Sequence, residues 1–345
     1  MSLGRVLVFL LLLAYSSGNY TSTLWEHRCD PGSEIFACTV PNFLYKPNQN
    51  HSKLIAPEPV HKVRLAYPSD KVISRQDVII AYDATLHDAL HRPKAVQIAN
   101  AAIKRFEVPF DLEYADFRDN SISTVIAPQV NGSEYALRYL DLQNNELDRI
   151  DNLRNLVNLE TLLLSNNHIS VLDGSTLNCF TKLISLHLTN NELVEIPVTN
   201  IPASLEWLIL RNNMLFGPMK FIGAHLPALK VLDLYDNYCD ELDVDVLLLA
   251  APNLEAIRLE RNFISAKEAK VIMECLALAG VTHDKFVKSD ERDHYYRTQQ
   301  KIKMHEDIIS AMIAVVNVCV IGWGAFRVYK SRSSTETVRS DCSNA

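Results

Sequence analysis

The sequence contains no zinc-type C-x-x-C pair, no H-E-x-x-H, no G-x-S-x-G and no phosphate-cradling glycine loop. The common forms of metal-dependent hydrolysis, acyl transfer and nucleotide chemistry therefore have no visible seat. We expect no cofactor, no metal and no catalytic residue. His168 and His187 stand alone and read as surface or contact residues. Positive charge is also short: the net charge is -7 and no basic run breaks the middle of the chain. Phosphate neutralisation needs a clustered Lys/Arg surface, so nucleic acid is not an expected partner. What remains is 345 residues, 48% hydrophobic and 22% charged, proportions of a folded chain with a sizeable core.

The two ends carry address signals. Arg5 precedes the apolar run from Val6 to Ala14, and Ser16, Ser17 and Gly18 offer a small-x-small cleavage site, so residues 1–18 read as a signal peptide. Residues 308–326, IISAMIAVVNVCVIGWGAF, hold no formal charge and approach the roughly 20 residues a helix needs to cross hydrocarbon. Glu306 and Asp307 precede this span, whereas Arg327, Lys330 and Arg332 follow it, a bias that places the C-terminal flank in the cytoplasm. The expectation is a plasma-membrane, single-pass type I protein with its repeats outside. The competing reading is a core helix, since the span is short and contains Asn317. Three sequons, at Asn19, Asn50 and Asn131, fit an ectodomain that carries glycans.

Between the ends the chain repeats itself. The pattern L-x-x-L-x-L-x-x-N-x-L is complete at Leu137-Leu140-Leu142-Asn145-Leu147, Leu159-Leu162-Leu164-Asn167-Ile169, Leu183-Leu186-Leu188-Asn191-Leu193 and Leu205-Leu208-Leu210-Asn213-Leu215. It is varied at Leu229-Leu232-Leu234-Asn237-Cys239, Leu254-Ile257-Leu259-Asn262-Ile264 and Leu112-Ala115-Phe117-Asn120-Ile122. The starts of these seven units lie 22 to 25 residues apart, the period of a leucine-rich repeat. Alternate residues of a strand face opposite sides, so the Leu pair points inward and the intervening positions form a display face. The Asn can bond neighbouring backbone that would otherwise be buried unpaired. No unit buries its apolar face alone, so the units stack. The fold class is thus α/β, a curved leucine-rich-repeat solenoid with parallel strands on the concave face, followed by one C-terminal transmembrane helix.

Further elements complete the organisation. Val96-Gln97-Ile98 with Ile103 suggest another degenerate repeat, Val60 to Ala66 and Val78 to Tyr82 read as short strands of an N-terminal cap, and Glu268 to Ala279 reads as a cap helix. The expected plan is a signal peptide at 1–18 and an N-terminal cap with degenerate repeats at 19–110. The solenoid with its C-terminal cap occupies 111–282, a juxtamembrane stalk 283–307, the transmembrane helix 308–326 and a cytoplasmic tail 327–345.

The register names the concave residues in advance: Tyr114, Arg118, Tyr139, Leu163, His187, Trp207, Ile209, Arg211 and Tyr235, with Asp116, Asp141 and Asp233 among them. Tyr, Trp and Arg are the types that anchor interfaces, and the mixed polarity suits a protein or glycan ligand. The competing reading leaves this face solvated and puts binding on the convex side or a flank. In an oxidising compartment the cysteines suggest one bridge between Cys29 and Cys38 and a second between Cys239 and Cys275. Cys239 occupies a core-facing repeat position, however, so a buried free thiol is its alternative, and Cys179 reads as core packing.

Signal, short repeat domain, cysteine-bearing flank and membrane span together resemble the leucine-rich-repeat immune proteins of mosquitoes, in particular their transmembrane subclass. The likeness covers residues 1 to about 330 in architecture and rests on repeats such as Leu137 to Leu147 and Leu183 to Leu193. The double cysteine and long coiled coil of the secreted members are missing: Gly280-Val281 is followed by Thr282-His283. Covalent dimerisation does not carry over. The resemblance implies innate immune recognition at a cell surface, by a receptor or co-receptor that takes a protein or microbial-surface ligand. Residues 327–345 are too few for a signalling domain, so any signal would pass through a signalling partner or oligomer, with Ser331, Ser333, Ser334 and Thr335 open to phosphorylation. An adhesive or structural cell-surface role is the alternative.

Overall fold

The computed structural model describes residues 79–129 and 134–284 in full, and the backbone alone of three strands at 30–32, 35–39 and 62–66. The chain divides into two compact units, Met1–Phe286 and Val287–Ala345, the second lying outside the described residues. The expected signal peptide, the sequons at Asn19, Asn50 and Asn131, Cys29, the side chain of Cys38, the span 308–326 and the tail also lie outside them. Among the described residues no helix is long and apolar enough to cross a membrane.

Among the described residues twelve strands form one sheet. Its first pair, Asp30–Gly32 and Ile35–Thr39, is antiparallel. Every later pairing is parallel, running through Lys62–Ala66, Ala95–Ala99, Tyr114–Asp116, Tyr139–Asp141, Thr161–Leu163, Ser185–His187, Trp207–Ile209, Val231–Asp233, Ala256–Arg258 and Thr282–His283. The register is that of the Leu pattern: Ala115, Leu140, Leu162, Leu186, Leu208, Leu232 and Ile257 stand opposite one another across successive coils and all are buried. Shifting any strand by one residue would turn its Leu out to solvent, so the apolar pattern itself fixes the pairing.

Each Asn of the repeat does the work expected of it. The Asn145 Nδ2 donates to the carbonyls of Phe117 and Leu142, both at 3.0 Å, while its Oδ1 accepts from the Ile122 N–H at 2.8 Å. Asn120, Asn167, Asn191, Asn213, Asn237 and Asn262 repeat the arrangement. A buried unpaired amide or carbonyl costs about 1–3 kcal/mol, so this ladder lets the interior turns exist without water.

The sheet also runs past the seven units that the pattern marks. Ala95–Ala99 pairs in full register with Lys62–Ala66, and Val96, Ile98 and Ile103 take the positions of the repeat apolar residues. Ala101 stands where the Asn would be, and its N–H donates to the Oδ1 of Asn120 on the next coil. At the other end Thr282–His283 adds a short strand.

The convex side has no single form. Ala81–Tyr82, Arg105–Glu107 and Thr124–Ile126 make a small parallel sheet there, so the strand expected at Val78 to Tyr82 forms on the convex side. Single turns at Asp151–Leu153, Gly174–Leu177 and Val198–Asn200 follow, then a two-stranded parallel sheet of Phe216–Met219 with Tyr238–Leu242, and the helices Val244–Ala250 and Ala266–Leu278. The last begins at Ser265 with a capping box to Glu268 and buries Ala269, Ile272 and Leu276. It is the cap helix expected at Glu268 to Ala279, and it is amphipathic.

Candidate ligand-binding face

Alternation on three-residue strands places the predicted residues in three columns. Tyr114, Tyr139, Thr161, Ser185, Trp207 and Val231 follow one another in register. So do Asp116, Asp141, Leu163, His187, Ile209, Asp233 and Arg258. Arg118, Arg211 and Tyr235 lie two positions after their strands, in line with Gln143, Ser165, Thr189 and Glu260. All nine predicted residues therefore fall on the concave side, but they form three groups.

In the N-terminal group the Tyr114 and Tyr139 rings stack 4.2 Å apart at an interplanar angle of 7°. Beside them Asp116 accepts from Arg118 Nη2 at 2.8 Å and from Gln97 Nε2 at 2.6 Å, both on one carboxylate oxygen. Asp141 accepts from the main-chain N–H of Gln143 at 3.0 Å and from its side-chain amide at 3.2 Å. Burial raises the Asp141 carboxyl above the usual carboxylate range, and Asp116 adds to the shift. Burial likewise raises both phenols, Tyr139 the more strongly.

The central group is apolar. Leu163 and Ile209 are half-buried around His187, whose imidazole burial depresses toward the neutral form. Trp207, in the first column, is 39% exposed, so large apolar surface faces the groove. The Lys230 ammonium lies 5.9 Å from the Trp207 ring and pairs with Glu206 at 2.8 Å.

The C-terminal group is rich in guanidinium. Arg211 sits 4.1 Å from the Tyr235 ring centre and Arg261 5.6 Å from it, while Arg258 lies 3.9 Å from the Asp233 carboxylate. Here a pocket of about 340 Å³ is lined by Tyr235, Ala256, Arg258, Glu260 and His283.

The sequence reading missed two features of this face. Gln97 reaches Asp116 from an upstream coil whose repeat signature is degraded. Along the edge of the face, Asn144, Asn166, Asn190 and Asn212 each donate a side-chain N–H to the preceding coil, starting at Asp119. All four have positive φ, a conformation Asn tolerates better than most residues. The signal was present as the dipeptide Asn-Asn at 144–145, 166–167, 190–191 and 212–213.

One expected site is corrected. Cys239 and Cys275 are free thiols, and no bridge joins them. Cys239 occupies the apolar position after the ladder Asn, fully buried, with its Sγ 3.7 Å from the Leu215 carbonyl. Burial pushes its thiol up to about 12, which keeps it protonated and packed as a small apolar side chain. Cys275 is half-buried on the Ala266–Leu278 helix, and Cys179 is a half-buried free thiol as well. Among the described residues no three metal-ligating side chains cluster.

No family model matches the chain. Chaoptin of Drosophila melanogaster is 30% identical over 151 residues, which are 43% of this chain and 11% of chaoptin. The U2 small nuclear ribonucleoprotein A' of Arabidopsis thaliana is 32% identical over 34% of this chain and 49% of its own length. Rat lumican is 32% identical over 41% of this chain and 42% of its own. The chain thus spans less than half the length of each. Among solved structures, an internalin of Listeria monocytogenes aligns with a TM-score of 0.44 at 17% identity, covering 66% of this chain and 61% of the other. A Drosophila Toll–Spatzle complex aligns at 0.39 and 18% identity over 59% and 35%. The relatives are leucine-rich-repeat proteins, as the parallel sheet and the asparagine ladder of this chain require of it too.

Proposed function

We propose that this leucine-rich-repeat chain is a binding protein of the cell surface that takes a protein or microbial-surface ligand on its concave face and acts in innate immune recognition as a receptor or co-receptor. The observation that carries the reading is the row from Tyr114 to Tyr235. It presents Tyr, Trp and Arg with an apolar centre and charged ends on a pre-formed sheet, which is the make-up of an interface with buried anchors and a polar rim. In this reading a signal peptide at 1–18 and a membrane span at 308–326 leave that face outside the cell, tethered, with a bridge Cys29–Cys38 and glycans at Asn19, Asn50 and Asn131 on the outer part. The immune assignment rests on the resemblance of the whole layout to the mosquito proteins. In this reading the chain signals through a partner or oligomer.

The test uses full-length protein tagged after residue 18 and at the C-terminus, expressed in cultured cells. Antibody should reach the first tag on intact cells and the second only after permeabilisation. Fluorescent killed bacteria should then adhere to the cells, and Leu163→Glu or Ile209→Glu should reduce adherence about tenfold or more, as a charge forced into an anchor does. Leu249→Glu, on the convex helix, should change nothing. Adherence lost with Leu249→Glu and kept with the concave changes would overturn the reading. Clustering of the cells with one another, without bacterial adherence, would replace it with the adhesive alternative.

A further inference from the structure

Ionisable side chains crowd both ends of the concave face and leave its middle almost bare. Across the coils that carry Leu163, His187 and Ile209 the three columns hold no charged side chain before Arg211, whose guanidinium is turned onto the Tyr235 ring. The acids that precede the two flanking strands are held elsewhere, Glu160 by Arg138 and Glu206 by Lys230. In the column of His187 the nearest carboxylates, Asp141 and Asp233, stand two strands away on either side, about 10 Å at the spacing of a sheet. The His87 and His168 rings each meet a carboxylate at 3.2 Å. Among the described residues His187 meets none, and its ring makes no hydrogen bond.

We propose that the centre of the concave face is an acid-released seat for one large, uncharged apolar side chain of a protein partner, with His187 as its floor and its proton-sensitive element. The inference rests on the concave-face reading given under Proposed function. The neutral imidazole lies between Leu163 and Ile209, with the Trp207 ring exposed on the adjoining strand, so an apolar side chain finds uncharged surface beneath and beside it. The route of His187 to water is the open side of the face, which is the side the partner covers. Covering a neutral imidazole removes two ordinary hydrogen bonds to water; covering an imidazolium removes the hydration of a charge, which costs far more, and no acceptor of the chain stands by to replace it. Proton and partner therefore compete at this residue. Burial already depresses the imidazole toward its neutral form, so the seat is ready for a partner at neutral pH. The bound state holds the proton less readily than the free state, so affinity is full above the free-state pKa and declines as pH falls through it.

The experiment pans purified full-length chain against a displayed random-peptide library at pH 7.5 and follows recovered clones that themselves contain no His, Asp or Glu. These are expected to carry a large apolar residue at one fixed position and to bind about fivefold or more weakly at pH 5.0, by proton linkage. His187→Gln should keep recovery at pH 7.5 and remove the acid loss, a result that misfolding cannot produce. Asp141→Asn should leave the acid loss in place, which separates His187 from the carboxyl that burial raises at the N-terminal end of the face. Clones lost on Leu163→Glu that bind equally at both pH values overturn the His187 seat and leave the concave-face reading standing. So does an acid loss that persists on His187→Gln or vanishes with Asp141→Asn. Recovery indifferent to Leu163→Glu, or none at all, overturns both.

Discussion

At residues 79–129 a helix, Ala84–Ala89, precedes a three-stranded parallel sheet and the interior holds a cluster of rings; at residues 205–284 a two-stranded parallel sheet, Phe216–Met219 with Tyr238–Leu242, is joined by two helices and the interior is mostly aliphatic, Phe221 apart. The Tyr82, Phe106 and Phe117 rings meet at centroid distances of 4.5 to 5.9 Å. They replace volume that the small Ala115 leaves beside them in the column of inward leucines. Polar closure differs too. In the first region Tyr82, His87 and Asp111 form a buried relay, with Tyr82 Oη 2.7 Å from His87 Nδ1 and His87 Nε2 3.2 Å from the Asp111 carboxylate. A carboxylate only accepts, so Nε2 carries the proton and Nδ1 accepts from the tyrosine. In the last region a single carboxylate, Asp284, accepts from the Leu259 N–H, whose counterparts on other coils donate to a carbonyl of the next strand, and from the Glu260 N–H, whose counterparts Gln143 and Tyr235 donate to Asp141 and Asp233. One repeat pattern therefore tolerates two different ways of filling and closing a coil, provided the inner Leu and Asn columns run through both.

The largest expected contrast is in packing. Phe117→Ala should cost about 3–5 kcal/mol, because the ring is fully buried among two others and its cavity cannot collapse. Cys239→Ala, at a buried site of the other region, should cost less than half as much, since only a sulfur is removed. Urea unfolding of the two variants compares them directly, and equal losses would mean that the aromatic cluster is no special device.

Next in size is Asp284→Ala, which leaves the Leu259 and Glu260 N–H groups without their acceptor and should cost about 1–3 kcal/mol at that end. Hydrogen exchange should show those amides losing protection while Ile103 and Ile122 keep theirs. Loss of protection at both ends would mean that the coils open together.

The smallest effect separates the ends by acid. Burial lowers the His87 imidazole below its ordinary 6.5, outweighing the opposite pull of Asp111, while Arg92 adds to the lowering and Asp88 opposes it. The folded state therefore binds this proton less readily than the unfolded state. The stability tied to neutral His87 is present above about pH 6.5 and declines as pH falls through that value toward the folded pKa. His187, lowered by burial on the concave side, acts in the same direction. His87→Gln should flatten the loss of stability between pH 7 and 5, measured by thermal melts, and Lys270→Gln on the C-terminal helix should not.

The sequence made the inner architecture legible because Leu and Asn occupy positions where each coil allows few alternatives. All seven ladder asparagines bond as their spacing implies, and the concave columns contain the residues named for them. Legibility fails where the constraint relaxes. Ala101 breaks the pattern yet heads a complete coil, because its own N–H can use the Oδ1 of Asn120. The convex segments need only the right length, so sheet, single turn and helix all satisfy the same 22-to-25-residue spacing. The pairing of Cys239 with Cys275 was read from position in the chain, which is silent about the direction of a side chain. The distribution of cations along the concave face was equally hidden, since Gln97, Gln143 and Arg258 match no motif and gain meaning only from the residue opposite.

Asp284 has one more consequence. Open strand edges invite other chains to add on, and proteins protect them with short strands and charge. The terminal described strand has two residues, Thr282–His283, and directly after it a carboxylate already occupies the N–H groups of Leu259 and Glu260. An incoming strand would find those donors taken and a negative charge in its path. Asp284 thus guards this edge of the described sheet against an added strand.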